Sequence, residues 1–156
     1  MSDWMDDPTL ARVINGFMVE FVNRYMRELA LLFDDDYDCA MIFLAVLEAN
    51  GRHNIRQVYF REDYADVRVS LPAEMARPIS RMAISESLGM ARETVRRKVS
   101  ALVDQGYLVE DDRGGVITTR GVIAREDFLV AQQRALGFLR QFRSDLRRYA
   151  ADVQEF

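Results

Sequence analysis

Apolar residues recur at spacings of three and four through the first part of the chain. Leu10, Val13, Ile14, Phe17, Met18, Phe21, Val22, Tyr25, Met26 and Leu29 form a wide stripe, which predicts one long helix from Pro8 to about Phe33. Asp7 suits the N-cap, and Pro8 the first helical position, where its missing N–H would have had no intrahelical partner. Asp34, Asp35, Asp36 and Asp38 interrupt the stripe. A second helix is expected from about Cys39 to Asn50, apolar almost all round and therefore deep in the core, with Gly51 ending it.

Residues 52–76 keep no single period. Val58, Tyr59, Phe60 and the alternating Val67-Arg68-Val69-Ser70-Leu71 fit either short strands or a helix with a loop. Helical pattern resumes from about Ser80 to Leu88, breaks at Gly89, and restarts from Ala91 to about Gln105, where Gly106 ends it. Tyr107-Leu108-Val109-Glu110 and Val116-Ile117-Thr118-Thr119 then flank Asp111-Asp112-Arg113-Gly114-Gly115, the pattern of a β-hairpin with a five-residue loop. A last helix is expected from about Arg125 to Val153. In it Ala135, Leu139, Phe142, Leu146, Tyr149 and Val153 make a heptad-like seam, with Arg140, Arg143, Arg147 and Arg148 on the flanks. Such a seam needs a partner helix, and spacing leaves open whether that is the first helix of the same chain or a second copy.

Composition narrows the class. The chain has 156 residues, 49% hydrophobic and 29% charged, which is ordinary for one globular domain able to bury a core without disulfide or metal. The longest apolar stretch, Cys39 to Leu47, falls well short of the ~20 residues a membrane helix needs. The start, MSDWMDDP, is acidic and lacks a basic leader region, so a cytoplasmic protein without a membrane segment is expected. One cysteine and one histidine cannot supply a disulfide or the usual zinc ligands. Asp34-x-Asp36-x-Asp38 opens like a calcium loop, but Cys39 stands at the glycine position and Ala45 at the glutamate position. No GxGxxG, P-loop or nucleophile elbow is present. His53 reads as a surface residue and Cys39 as core, while Tyr59, Phe60 and Tyr64 read as core rather than the lining of an effector pocket. No catalytic residue, metal or cofactor is expected, and the chain does not read as an enzyme.

Charge is uneven. The formal net charge is −4, but residues 1–76 hold 7 arginines against 14 acids, residues 77–125 hold 9 basic groups against 6 acids, and the remainder balances. The middle is therefore the part able to approach a polyanion. If Val95, Val99 and Leu102 face the core there, Glu93, Arg97, Ser100 and Asp104 point directly away from it, with Thr94 and Arg96 to the two sides. Arginine can hold guanine O6 and N7 with two hydrogen bonds. Glutamate can accept from cytosine N4, or it can orient Arg97 one turn later.

Ile79 to Thr119 resembles the winged helix-turn-helix of bacterial transcription regulators, on Ser-Leu-Gly-Met-Ala-Arg-Glu-Thr-Val-Arg-Arg at 87–97 and Gln-Gly-Tyr-Leu-Val at 105–109. The likeness covers about a quarter of the chain. Arg92-Glu93-Thr94-Val95-x-Arg97 is similar to the recognition helix of the Crp/Fnr regulators, in which the first Arg, the Glu and the last Arg contact bases and the Thr a phosphate. The resemblance implies base reading by Arg92, Glu93 and Arg97, joined here by Arg96, although the helical wheel sets Arg92 nearer the core side. Thr94, Lys98, Ser100, Arg81 and Arg113 are the candidates for DNA backbone contacts, Arg113 at the tip of the hairpin between acids that limit its pull. Arg77 and Arg120 are weaker ones. Residues 1–76 look helical, so the cyclic-nucleotide β-roll of that family does not carry over. Ala91 also stands where such helices have Ser or Thr, forfeiting a cap worth about 1 kcal/mol.

The long flanking helices resemble those of MarR-type dimeric regulators, whose outer helices form the dimer interface and whose effectors bind between it and the DNA-reading lobes. The expectation is a mainly α protein in one domain, 1–156. Residues 1–37 and 125–156 supply packing or dimerisation helices around a winged helix-turn-helix core at 38–124, with an unclear segment at 52–76. The helix at about 91–105 would enter the major groove and the wing at about 107–119 would lie beside it. The implied function is sequence-specific regulation of transcription on double-stranded DNA, as a homodimer with half-sites about 34 Å apart and any small-molecule effector unidentified. The alternative is a winged-helix protein–protein interaction module without DNA binding.

Overall fold

The structure is a computed structural model that describes residues 8–69 and 71–149. Helix α1 spans Pro8–Leu31. The chain then turns with Asp34 and Asp35 at φ 53° and 65°, left-handed conformations that a short polar side chain tolerates. The acid cluster is thus helix punctuation. Asp36 caps the next helix, α2 (Tyr37–Gly51), by accepting a hydrogen bond from the Cys39 N–H at 3.0 Å. This cap starts α2 two residues ahead of the apolar run, and Gly51 is its last residue rather than its stop. Ala40, Ile42, Phe43 and Val46 are buried along α2, the central helix.

Residues 52–76 form a helix with loops. They contain the short helix α3 (Val58–Asp63) and a 3₁₀ turn at Ala73–Met75, and the described residues of the alternation, 67–69 and 71, lie in no strand. Side chains from α2 and the turn after it tie the segment down. Asn54 donates to the Met75 carbonyl at 2.9 Å, and Asn50 donates to the Arg77 carbonyl at 2.7 Å.

Strand β1 (Ile79–Ser80) leads into helices α4 (Arg81–Leu88) and α5 (Arg92–Asp104), followed by strands β2 (Leu108–Glu110) and β3 (Gly115–Thr118). The three strands form one antiparallel sheet in the order β1-β3-β2, with Ile79 opposite Val116 and Leu108 opposite Thr118. The predicted hairpin is present, and β1 is an addition, since two residues are too short to show a period. Ser80 also caps α4, accepting from the Ala83 N–H at 3.1 Å. Gly89, at φ 64°, ends α4 in the conformation glycine adopts without a Cβ penalty, and the Ser85 hydroxyl donates to the Met90 carbonyl at 2.6 Å. Three residues therefore separate α4 from α5.

Val95, Val99 and Leu102 of α5 are fully buried with Ile84, Ile42 and Phe43, as the periodicity requires. Phe33, Phe43, Tyr107 and Phe128 close the other end of the core with ring centroids 5.0–6.4 Å apart. A 3₁₀ turn at Val122–Ala124 leads to α6 (Glu126–Tyr149). This last helix runs antiparallel to α1: Phe17 meets Tyr149 at 5.9 Å, Phe21 meets Phe142 at 5.8 Å, and Arg134 pairs with Glu28 at 3.1 Å. The seam's partner within the chain is therefore α1. The seam nevertheless divides, for Phe142 and Tyr149 touch α1 while Leu139 stays 47% exposed. The proposed cap Asp7 and the last seam residue, Val153, lie outside the described residues. Among the described residues, no helix is long and apolar enough to cross a membrane.

Candidate nucleic-acid interface

The first turns of α5 bring together the residues singled out for base reading. Arg92, Glu93, Arg96 and Arg97 are all exposed, Glu93 and Arg97 on the side opposite Val95 and Val99, Arg96 to one flank and Arg92 on the edge nearer the core. Arg92 is open despite its place on the wheel, because the first residue of a helix has no preceding turn to pack against. Glu93 binds Arg96 through two hydrogen bonds, Nε to Oε2 at 2.9 Å and Nη2 to Oε1 at 2.6 Å. These bonds hold the Glu93 carboxyl below its usual range. The sequence offers Arg97, four residues on, as the partner of Glu93; the structure selects Arg96, three residues on. Arg92 and Arg97 make no hydrogen bond or ion pair with another described residue and remain uncommitted cations.

The proposed backbone contacts divide. Thr94, on a flank of α5, is half-buried, and so is Ser100, which the periodicity points directly away from the core. Arg113 is exposed at the hairpin tip. Lys98 differs from expectation: its ammonium turns to Asp36, and its side chain is only 17% exposed, so it joins α5 to α2 instead of facing outward. Arg81 likewise pairs with Glu110 on β2 at 2.8 Å, fixing the start of α4 to the hairpin. Arg77 and Arg120 are exposed.

Asp111, which the sequence suggests as a restraint on the wing's attraction for anions, organises the loop. Its Oδ1 accepts from the N–H groups of Arg113 at 2.9 Å and Gly115 at 2.7 Å, while Gly114 turns at φ 76°. A Cβ on Gly115 would lie 2.6 Å from Pro78 Cβ, so only glycine lets β3 pass the entry to β1.

Asn50 is a structural residue that sequence reasoning misses. It is 4% exposed, donates to the carbonyls of Arg77 at 2.7 Å and Val116 at 3.4 Å, and accepts from the Thr118 N–H at 2.9 Å. One amide thereby fastens α2 to β3 and to the segment entering β1. Its signal is an amide near the end of a mostly apolar helix. Phe60 and Tyr64 pack ring to ring at 6.1 Å. Burial and nearby Asp36 push the Cys39 thiol up to about 11, which keeps it protonated and unreactive. Among the described residues, no cluster of His, Cys, Asp and Glu could hold a metal ion.

The chain matches no family model, no curated protein and no solved structure.

Proposed function

We propose that residues 38–124 are a winged helix-turn-helix and that the protein is a sequence-specific DNA-binding regulator of transcription, with α5 in the major groove and the β2–β3 hairpin as the wing. The observation that carries this reading is the exposed start of α5. There Arg97 stands beside the Glu93–Arg96 pair on the side away from a fully buried apolar stripe, and Arg92 is exposed at the helix's first position, both arginines without an ion pair to a described residue. The three-residue turn ahead of α5, the order β1-β3-β2 behind it and the exposed Arg113 at the tip support the reading.

The reading includes a homodimer. Met18 and Val22 on α1 and Leu136 and Leu139 on α6 are 45–54% exposed, and helical geometry sets all four on one flank of the antiparallel pair. A continuous apolar flank of this kind calls for a partner, and a second copy burying the same flank would give two-fold symmetry and two α5 helices.

Selection of duplexes from a random library by the full chain, followed by fluorescence anisotropy against salt, tests the proposal. Enrichment of a palindromic site, with affinity falling steeply as salt rises, is expected. Failure to enrich any sequence, or affinity for a protein that salt does not change, would leave the interaction-module reading in its place.

A further inference from the structure

A cavity of about 370 Å³ lies between the β2–β3 hairpin and the loop after α3, in the range typical of small-molecule sites, about 300–1,000 Å³. No residue of α1, α5 or α6 lines it, so it stands apart from the surfaces assigned to DNA and to a second copy. Leu108 and Val116 are fully buried on the core side of the sheet, so by strand alternation Val109 and its register partner Ile117 project from the other face. An antiparallel sheet covered by helices on one face usually presents polar residues on the other. Here the second face is apolar, and Val67, Val69 and Leu71 of the loop line the hollow with it.

The hollow is held open. Asn54 donates to the Met75 carbonyl at 2.9 Å and Asn50 to the Arg77 carbonyl at 2.7 Å, pinning the far end of the loop. At the near end the Val69 N–H donates to the Asp66 carbonyl at 2.9 Å, closing a turn. Between them Pro72, Ala73 and Ala76 give the wall a rigid ring and two methyl groups, too short to fill the gap.

The lining also decides what charge a ligand can carry. Among the described residues at the cavity there is no aromatic ring and no acid, so a cation finds neither a π face nor a counter-ion. Asn50 directs its amide hydrogens to the carbonyls of Arg77 and Val116, and its oxygen accepts from the N–H and hydroxyl of Thr118. The Thr119 hydroxyl oxygen is closed off from solvent and does not face the hollow. Arg120 is open to water, where pairing with an anion is worth little. A charged ligand would therefore lose its hydration and gain no partner of equal worth.

We infer that this cavity is a binding site for a compact, uncharged, hydrocarbon-rich molecule, seated between Val109 and Ile117 of the hairpin and Val67 and Leu71 of the loop. Apolar contact with both walls supplies the affinity, and the lack of an accessible, uncommitted polar side chain supplies the preference for a neutral ligand over its charged analogues. The inference stands on the cavity alone and does not depend on DNA being the protein's partner.

The test uses the full chain without DNA and three probes of one shape, 2-adamantanone, 1-adamantanecarboxylate and 1-adamantylamine. Calorimetry, thermal unfolding and NOEs from probe protons to protein methyl groups are the readouts. The ketone should bind at least tenfold more tightly than the acid or the amine, and should raise the Tm progressively with its concentration. Its NOEs should reach Val109 and Ile117 on one wall and Val67 and Leu71 on the other. Val109→Thr keeps the shape of a side chain that is 40% exposed but puts a hydroxyl at the hollow. It should weaken ketone binding at least threefold and leave the Tm of the free protein as it was. Ile117→Phe, which fills the hollow, should abolish binding; if that variant does not fold, Val109→Thr decides. Equal binding of all three probes, no binding of the ketone, NOEs confined to other methyl groups such as those of Met18 and Leu139, or unchanged affinity in Val109→Thr would each overturn the assignment.

Discussion

The ammonium of Lys98 on α5 meets the carboxylate of Asp36, the residue that caps α2, joining positions 62 residues apart in the chain. A lysine in a basic stretch looks like a phosphate contact, but this one is mostly covered and holds two helices together. Lys98→Ala should therefore cost stability more than DNA affinity. The expected loss is about 1–2 kcal/mol by urea unfolding, between the values for exposed and buried pairs. The salt slope of DNA binding should stay as in the parent protein, and a slope smaller by about one would restore Lys98 as a phosphate ligand.

The same pair sets an acid limit. Burial works against ionisation of Asp36, but the hydrogen bonds from Lys98 and from Cys39 outweigh it and hold its carboxyl below the ordinary value of 3.8. A carboxyl with a folded pKa below its unfolded one contributes stability that is fully present above the unfolded value and is lost as pH falls through the folded one. The melting temperature should thus drop on acidification below about pH 4, and Asp36→Asn should flatten that part of the curve. An unchanged acid limb in Asp36→Asn would assign the effect to other carboxylates.

Asn50 makes a sharper stability prediction. Asn50→Leu keeps the volume but leaves the Thr118 N–H and the Arg77 carbonyl without their amide partner in the part-buried junction of α2 with the sheet. Each such group costs about 1–3 kcal/mol, so a total of about 2–4 kcal/mol is expected from chemical denaturation. Faster hydrogen exchange at the Thr118 amide should accompany it. A loss under about 1 kcal/mol, less than one unpaired group costs, would mean that the junction is held by packing alone.

At the hairpin, Gly115→Ala and Gly114→Ala separate two kinds of glycine requirement. The first drives a methyl against Pro78, a rigid ring, and should push β1 from β3, at a cost of about 1–3 kcal/mol. The second places a side chain at φ 76° in nearly open space and should cost about 1–2 kcal/mol from backbone strain, with β1 undisturbed. Amide shifts at Ile79 and Ser80 tell the two apart; equal shifts in both variants would contradict the assigned close approach.

What is legible in the sequence is what depends on local period. Val95, Val99 and Leu102 repeat at helical spacing, and that repeat alone is enough to turn Glu93 and Arg97 outward. Gly89, Gly106 and the Asp111–Gly115 loop mark their turns because each needs a conformation few residues adopt. Contacts between distant segments leave no such trace. Nothing near Lys98 or Asp36 names the other, β1 is only two residues long, and Asn50 acts on groups 27 to 68 residues away. The partner of Glu93 escapes the sequence for a related reason: residues at i+3 and i+4 are both within reach on a helix surface, and side-chain rotamers choose between them.

That choice changes what mutation of the α5 surface should do. Glu93 neutralises Arg96 in the free protein, so Glu93→Ala removes an anion and releases a guanidinium toward the same groove. On the DNA-binding reading, affinity for random duplex should rise, with a salt slope steeper by about one, while preference at the position that Glu93 would read falls by about 1–3 kcal/mol. Arg97→Ala should act in the opposite sense, losing about 1–3 kcal/mol on the selected site and little on random duplex, because its guanidinium is free to meet a base. Arg113→Ala, at the tip of the hairpin, should weaken all sequences alike. Anisotropy on the selected site and on a shuffled duplex measures all three. If Glu93→Ala weakened both duplexes equally, Glu93 would be holding α5 in shape, and the base-reading role would pass to Arg92 and Arg97 alone.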